Sequence, residues 1–408
     1  MQAHARLCWL VTKEDSPKDY ANMHTERAKN YLRQKISSAK DDSLMDKWSH
    51  IAQMYKNKLW HQLTMHILDA LKTGALGEID MKELYDEFIR DFEQHMNPLQ
   101  LSMISVIIAH NIHKRDPKAA SDFLKARECH CGKDKAAMVR LHTAEIELKL
   151  LGRTSPSEVR KLLEQTHKEL DDIGGVTPVH APFFKVSALY MKETKNYAGY
   201  YREALRYLGC GTFDEMEMMA KKEQALLIGI AALLGEDIYN FGELLSHKIV
   251  DVMATTELRW LYEVLFSLNA GDVQKFNELE KSWGQWTDLK TNEKVIRDKV
   301  RLLSIVELSF SRNPKQRFLT FEMIARKAQV PMDKVELLVM RAMSKKLISG
   351  TINEPAKTVT ITHVQPRVLN LDQVSALIDL FSVWEDQVID MSAIVINNAK
   401  EIILTKAE

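Results

Sequence analysis

The chain has 408 residues, of which 45 % are apolar and 27 % charged, with 56 basic and 56 acidic side chains. That length suits two or three domains with sizeable cores, and a formal net charge of zero argues against a dedicated nucleic-acid binder, which would carry a basic excess. Four cysteines (Cys8, Cys129, Cys131, Cys210) without a regular framework point to reduced thiols in a cytosolic or nuclear protein.

Residues 1–45 are mixed and polar, "SSAKDD" (Ser37–Asp42) reads as a loop, and the stretch is expected to be a variable, frayed N-terminal extension. Leu7–Val11 is too short for a signal-peptide core. From Trp48 a series of amphipathic helices begins. "IAQMYKNKLWHQLTMHILDAL", "MKELYDEFIRDFEQHM", "LQLSMISVIIAHNIH", "AASDFLKARECH" and "AAMVRLHTAEIELKLLG" each place apolar residues three or four apart. The short breaks "KTGALGE", "NP", "RDPK" and "GKDK" separate them, as in antiparallel helix pairs of an α-solenoid. No strict period repeats, so this expectation rests on helix spacing. Trp60, Met65 and Trp260 sit at helical spacing and read as core.

"GGVTPVHAP" (Gly174–Pro182) is the clearest punctuation mid-chain. It separates a helical-repeat domain at 46–182 from a second domain at 183–366, helical over 183–312. Helices resume with "FFKVSALYMKET", "YAGYYREALRYLG", "KEQALLIGIAALLG", "FGELLSHKIVDVM", "ELRWLYEVLFSLNAGD", "VQKFNELEKSW" and "NEKVIRDKVRLLSIVELSF". The longest uncharged apolar run, Ala225–Leu234, falls far short of the roughly 20 residues that span a bilayer.

Residues 313–366 follow a winged-helix order. Phe321, Ile324, Ala325 and Ala328 form one apolar helix face, with Thr320 at the N-cap position. Pro331 ends that helix, and a second buries Val335, Leu338, Val339, Ala342 and Met343. Ile348, Gly350 and Ile352 then alternate with polar neighbours. Asn353–Lys357 reads as a turn, and Val359 and Ile361 alternate with Thr358, Thr360 and Thr362 as a strand.

Residues 315–367 hold ten Lys or Arg and four Asp or Glu, net +6, so binding of DNA or RNA is an alternative to weigh. A recognition helix meets base edges with its N-terminal residues, and here those positions hold Asp333 and Glu336. The exposed face continues with Leu337 and Met340, which suit a protein partner. Arg341, Lys345 and Lys346 lie at the C-terminal end, where they complement the helix dipole.

"VQPRVLNLDQV" (Val364–Val374) leads into the last helix, 367–408. Val374, Leu377, Phe381, Trp384, Val388, Met391 and Val395 step by three and four without a break, a heptad seam. Asn370 and Gln373 resemble a capping box. Residues 371–408 carry seven acids and two lysines, net −5. Burying each seam side chain is worth roughly 1.5–3 kcal/mol before ordering costs, so the seam must pack on its own domain or on helices of other chains.

Catalytic and metal signatures are missing. H-E-x-x-H, G-x-x-x-x-G-K-[ST] and G-x-S-x-G do not occur, and "LGCGTFDE" has Asp214 where a dinucleotide loop needs its third glycine. "ECHCGKD" (Cys129, His130, Cys131) looks like a metal half-site, but one residue separates the cysteines and no second pair follows, so it reads as a helix end with ordinary thiols. No enzyme activity, cofactor or metal is expected.

Helical repeats running into a winged helix resemble a PCI domain, the module shared by the proteasome lid, the signalosome and translation initiation factor three. "KLWHQLT" (Lys58–Thr64), "YYREALRYLGC" (Tyr200–Cys210), "YNFGELLSHKI" (Tyr239–Ile249), "LNAGDVQKF" (Leu268–Phe276), "SWGQWTDLKTNE" (Ser282–Glu293), "LTFEMIARKAQVPMDKVELLVMRAM" (Leu319–Met343), "VQPRVLNL" (Val364–Leu371) and "WEDQV" (Trp384–Val388) resemble the non-ATPase PCI subunits of the 26S proteasome lid over about residues 48–400. The resemblance implies a non-catalytic scaffold in a hetero-oligomer with other PCI subunits, in cytoplasm and nucleus. It makes 183–366 the PCI domain. It also implies winged helices packed side by side, partly through sheet edges, and terminal helices gathered in a bundle. The contact residues expected are Glu336, Leu337, Met340 and an edge strand at Thr358, Thr360 and Thr362, with the seam Val374–Val395 in the bundle.

Overall fold

The computed structural model describes residues 17–38, 42–74, 79–132, 134–152, 155–211, 213, 216–312, 317–368 and 371–404. Helices account for most of it, with one small three-stranded sheet. The chain divides into two compact units, before and after residue 214.

The first unit runs from Pro17–Ser38 through Tyr197–Gly209. Its later helices, Pro98–His113, Pro117–Cys131, Lys135–Leu151, Pro156–Asp171, His180–Glu193 and Tyr197–Gly209, pack on sequence neighbours and in part on the next helix but one, as stacked repeats do. The breaks between them are built from caps. Asn97, Asp116 and Asp134 each accept a backbone N–H from the following turn, and Pro98 and Pro117 occupy first-turn positions that need no N–H.

Four expectations change here. Pro17–Ser38 is a helix whose Ala28, Tyr31 and Leu32 are buried, with the Tyr31 ring edge-on to Trp48, so this part of 1–45 joins the core. Residues 1–16, with Cys8 and Leu7–Val11, lie outside the described residues. The stretch beginning "IAQMYKNKLW" is two helices, Asp42–Lys56 and Trp60–Thr73, because Lys58 turns the chain at φ 56°. Trp60 and Trp260 are half-buried, but Met65 points outward. "MKELYDEFIRDFEQHM" is helical throughout but includes a π turn at Tyr85–Ile89 and ends in a 3-10 turn, Glu93–His95.

In the second unit the helix Glu293–Phe310 is the spine. It buries Ile296, Val300, Leu303 and Ile305, and it packs on helices Met218–Leu234 and Arg259–Asn269 and on the winged helix. Lys299 is buried within it and donates to the carbonyls of Ala232, Leu233 and Gly235 (2.8, 3.2 and 2.9 Å), the open C-terminal end of Met218–Leu234. Burial pushes this lysine down to about 7. "FGELLSHKIVDVM" and "VQKFNELEKSW" each form two short helices rather than one: Gly242–Leu245 and Ile249–Thr255, then Val273–Glu278 and Glu280–Trp283.

The winged helix follows: β1 (Phe318–Thr320), helix Phe321–Ala328, helix Val335–Ser344, β2 (Ile348–Asn353) and β3 (Thr358–Val364). Its core joins Leu319, Phe321, Ile324, Val335, Val339, Val359 and Ile361 to Leu302, Ile305 and Val306 of the spine. The Thr320 hydroxyl accepts from Met323 N, and Gln329, left-handed at φ 51°, closes the first helix before Pro331.

Candidate functional site

The face of helix Val335–Ser344 comes first. Val335, Leu338, Val339 and Ala342 turn inward, which leaves Leu337 and Met340 on the outside, 47 % and 46 % exposed, with Glu336 half-buried beside them. Met332, one turn earlier, is exposed as well. An apolar strip of this kind, carrying Asp333 and Glu336 at its N-terminal end, does not suit the acceptor-rich edge of a base pair. Among the described residues, five of the cations of 317–367 lie within 4 Å of a carboxylate. The pairs are Arg326 with Glu322, Arg341 with Asp298, Lys345 with Asp237, Lys357 with Glu354, and Arg367 with Glu307. The Asp237 and Glu354 carboxylates hold Lys345 and Lys357 above the ordinary lysine range.

The sheet corrects the expected docking strand. Its order is β1–β3–β2, antiparallel throughout, so Thr358–Thr362 lies in the central strand. Thr358 is buried and faces both Thr320 and Asn353. Thr360 is exposed but stands between Phe318 and Thr351. Thr362 sits at a bulge, its hydroxyl donating to Ser349 O (3.1 Å). The reason is β1: three residues, "FLT", are too few to show alternation, yet they occupy the outer side of β3. The edges are therefore β1 and β2. Arg312 donates to the Phe318 carbonyl of β1 (2.9 Å), whereas β2, six residues long, pairs only with β3 among the described residues. An open strand edge offers unpaired N–H and C=O groups to a partner.

Among the described residues, the terminal helix, Leu371–Leu404, carries more exposed large apolar side chains than any other element. Val374, Leu377, Phe381, Trp384, Val388, Met391 and Val395 are all exposed, Trp384 at 61 %. Ile378, Leu380, Val383, Ile389, Ile394 and Ile396 flank that seam on both sides and are exposed too. The polar stripe runs along Ser375, Asp379, Ser382, Asp386 and Asp390, with Glu385, Gln387 and Ser392 scattered outside it. A helix apolar over most of its circumference is made for burial by more than one neighbour. The seven-residue seam was legible in the sequence, but its breadth was missed, although the extra isoleucines were in plain view. Asn370, half of the expected capping box, lies outside the described residues.

The "ECHC" segment separates into unrelated contacts. Cys129 is exposed, His130 lies 3.0 Å from Glu93, and Cys131 is buried against the Pro98 carbonyl, its thiol pushed up to about 11 by burial. Among the described residues no group of three or more His, Cys, Asp or Glu side chains could hold a metal ion, and no helix is long and apolar enough to cross a membrane.

Comparison with known proteins divides the chain between residues 265 and 273, inside the second compact unit. Residues 47–265 match the family of PSD13 N-terminal repeats, and residues 273–363 match the PCI domain, from the Asp272-capped helix to the penultimate residue of β3. The 26S proteasome non-ATPase regulatory subunit 13 homolog B of Arabidopsis thaliana is 32 % identical over 352 residues, 84 % of this chain and 90 % of the relative. The chain belongs to the 26S proteasome non-ATPase regulatory subunit 13 family. The probable 26S proteasome regulatory subunit rpn9 of Schizosaccharomyces pombe is 33 % identical over 355 residues, 87 % and 92 % of the two chains. Eukaryotic translation initiation factor 3 subunit M of Drosophila persimilis is 23 % identical over 176 residues, 43 % and 44 % of the two. Full-length similarity thus runs to regulatory subunit 13, and the initiation-factor likeness covers less than half of either chain.

Proposed function

We propose that this subunit 13 family member is a non-catalytic structural subunit of the lid of the 19S regulatory particle, supporting lid assembly and ubiquitin-dependent protein degradation. Its partners in this reading are other PCI subunits of the lid, in cytoplasm and nucleus. Residues 46–182 serve as the helical-repeat arm and 183–366 as the PCI domain. Leu337 and Met340, with Glu336 at their side, and the β2 edge contact neighbouring winged helices. Thr360 contributes from the outer sheet face, while Thr358 and Thr362 hold the sheet together. The seam Val374, Leu377, Phe381, Trp384, Val388, Met391 and Val395 enters a helix bundle formed by several subunits.

The observation that carries this reading is the terminal helix. Thirteen large apolar side chains between Val374 and Ile396 stand exposed on one element of a family named for regulatory subunits of a large assembly. Water is a poor resting place for such a surface, and partner helices would remove it. The test compares a tagged full-length chain with one ending at Asn370, by native size and composition in cell lysate. Full-length protein is expected in a megadalton assembly with proteolytic activity, and the shortened chain outside it but folded. Normal incorporation of the shortened chain would overturn the bundle role. A full-length chain running alone or with ribosomal factors would overturn the lid assignment.

A further inference from the structure

Between β3 and the terminal helix the chain is tied down at three successive points. Gln365 N donates to Leu347 O (2.9 Å). The Arg367 side chain, 8 % exposed, donates through Nη1 to the Glu307 carboxylate and through Nη2 to the carbonyl and Oδ1 of Asn269 (2.6 and 3.1 Å). Val368 lies so close to the Gly242 backbone that a Cβ on Gly242 would stand 2.4 Å from the Val368 Cβ.

These anchors share one frame. Asn269 ends the helix Arg259–Asn269, so its carbonyl is an orphan acceptor at the negative end of a helix and favours a cation. The turn behind it is pressed onto the spine. Gly271, at φ 58°, has room for no side chain, because a Cβ there would stand 2.6 Å from Ser304 Cα. Glu307, the other acceptor, lies one turn further along that spine. Gly242, Asn269 and Arg367 come from three of the separate segments that the sequence singled out, "YNFGELLSHKI", "LNAGDVQKF" and "VQPRVLNL", and here they meet.

From Val374 to Ile396 every described side chain is exposed. A helix of 34 residues is about 50 Å long, so a swing of roughly 20° at its base moves its tip by about 17 Å. We propose that residues 365–368 are a strap that fixes the departure point of the terminal helix, with Arg367 as a positioning residue for assembly. Arg367 acts through the helix and touches no partner subunit. Holding the helix near its docked position lowers the ordering cost of association. This inference rests on the proposed docking role of that helix.

The test uses the full-length chain with spin labels, introduced through non-natural amino acids, at Ser311 and at Ser382 on the helix. Pulsed electron paramagnetic resonance gives the distance distribution, thermal melting the stability, and native gels the rate of incorporation in cells. Arg367→Ala is expected to widen the distribution and slow incorporation by roughly tenfold, the scale of a lost pre-organisation term of about 1.4 kcal/mol. Arg367→Lys should recover part of both, since an ammonium reaches one acceptor but cannot span Glu307 and Asn269 together. Gly242→Ala, which displaces Val368 and leaves Arg367 in place, should widen the distribution too, and it serves as the probe if Arg367→Ala fails to fold. A lower melting temperature with an unchanged distribution in both variants would overturn the strap, and so would a widened distribution with normal incorporation. If the chain ending at Asn370 incorporates normally, the docking role itself fails. If that chain is excluded while Arg367→Ala and Gly242→Ala incorporate at full rate, the strap alone fails.

Discussion

The two longest helices of the second unit, Glu293–Phe310 and Leu371–Leu404, are both rich in aliphatic residues and meet opposite fates. The first is surrounded by its own chain. Ile296, Val300, Leu303, Ile305 and Val306 are all buried, and even Lys299 is enclosed with its hydrogen bonds made. The second shows its apolar side chains to solvent on nearly every side. Apolar content therefore says that a helix will be covered but not by what. Folding of the chain covers the first helix; under the proposed lid role, assembly would cover the second.

The sharpest way to break this comparison is one large-to-small change in each helix. Leu303→Ala should destabilise the second unit by roughly 2–5 kcal/mol, read by denaturant unfolding. Phe381→Ala should leave the isolated chain within about 0.5 kcal/mol of wild type and still reduce incorporation into the complex. Equal destabilisation by the two would show that the terminal helix is covered by its own chain.

Lys299→Met ranks next. It leaves three carbonyls at the end of Met218–Leu234 without their donor, a loss of about 1–3 kcal/mol by the same unfolding measurement. The wild-type chain should also show a pH slope that the Met variant lacks. Burial holds Lys299 at about 7, below the ordinary lysine value of 10.5, so between these limits the unfolded chain binds more protons than the folded one. Stability then rises with pH from 7 towards 10.5, by at most about 1.4 kcal/mol per pH unit. A flat or falling difference between the two proteins over that range would show that the three carbonyls keep Lys299 charged. Smallest is Thr320→Ala, which removes the cap of the first helix of the winged helix and should cost about 1 kcal/mol, with no effect on the terminal helix in circular dichroism of the folded chain.

Much of this protein was determined locally by its sequence. The caps Asn97, Asp116, Asp134 and Thr320, the helix-ending Pro331 and the heptad steps from Val374 to Val395 each act within one or two turns of chain, so reading a short window suffices. The same holds for the helix–turn–helix–hairpin order of residues 319–361 and for the family resemblance, which needs only the order of side chains. Tertiary structure decided what depends on distant partners. The pairing of Phe318–Thr320 with Thr358–Thr360, 38 or more residues away, made β3 central and moved the open edge to β2. The burial of Lys299 depended on the end of a helix more than 60 residues earlier, and the seating of Arg367 on Asn269, 98 residues earlier. Strand order and buried charge are properties of pairs, set by which backbone groups and acceptors meet when the chain closes. A window of neighbouring residues holds only one member of each pair.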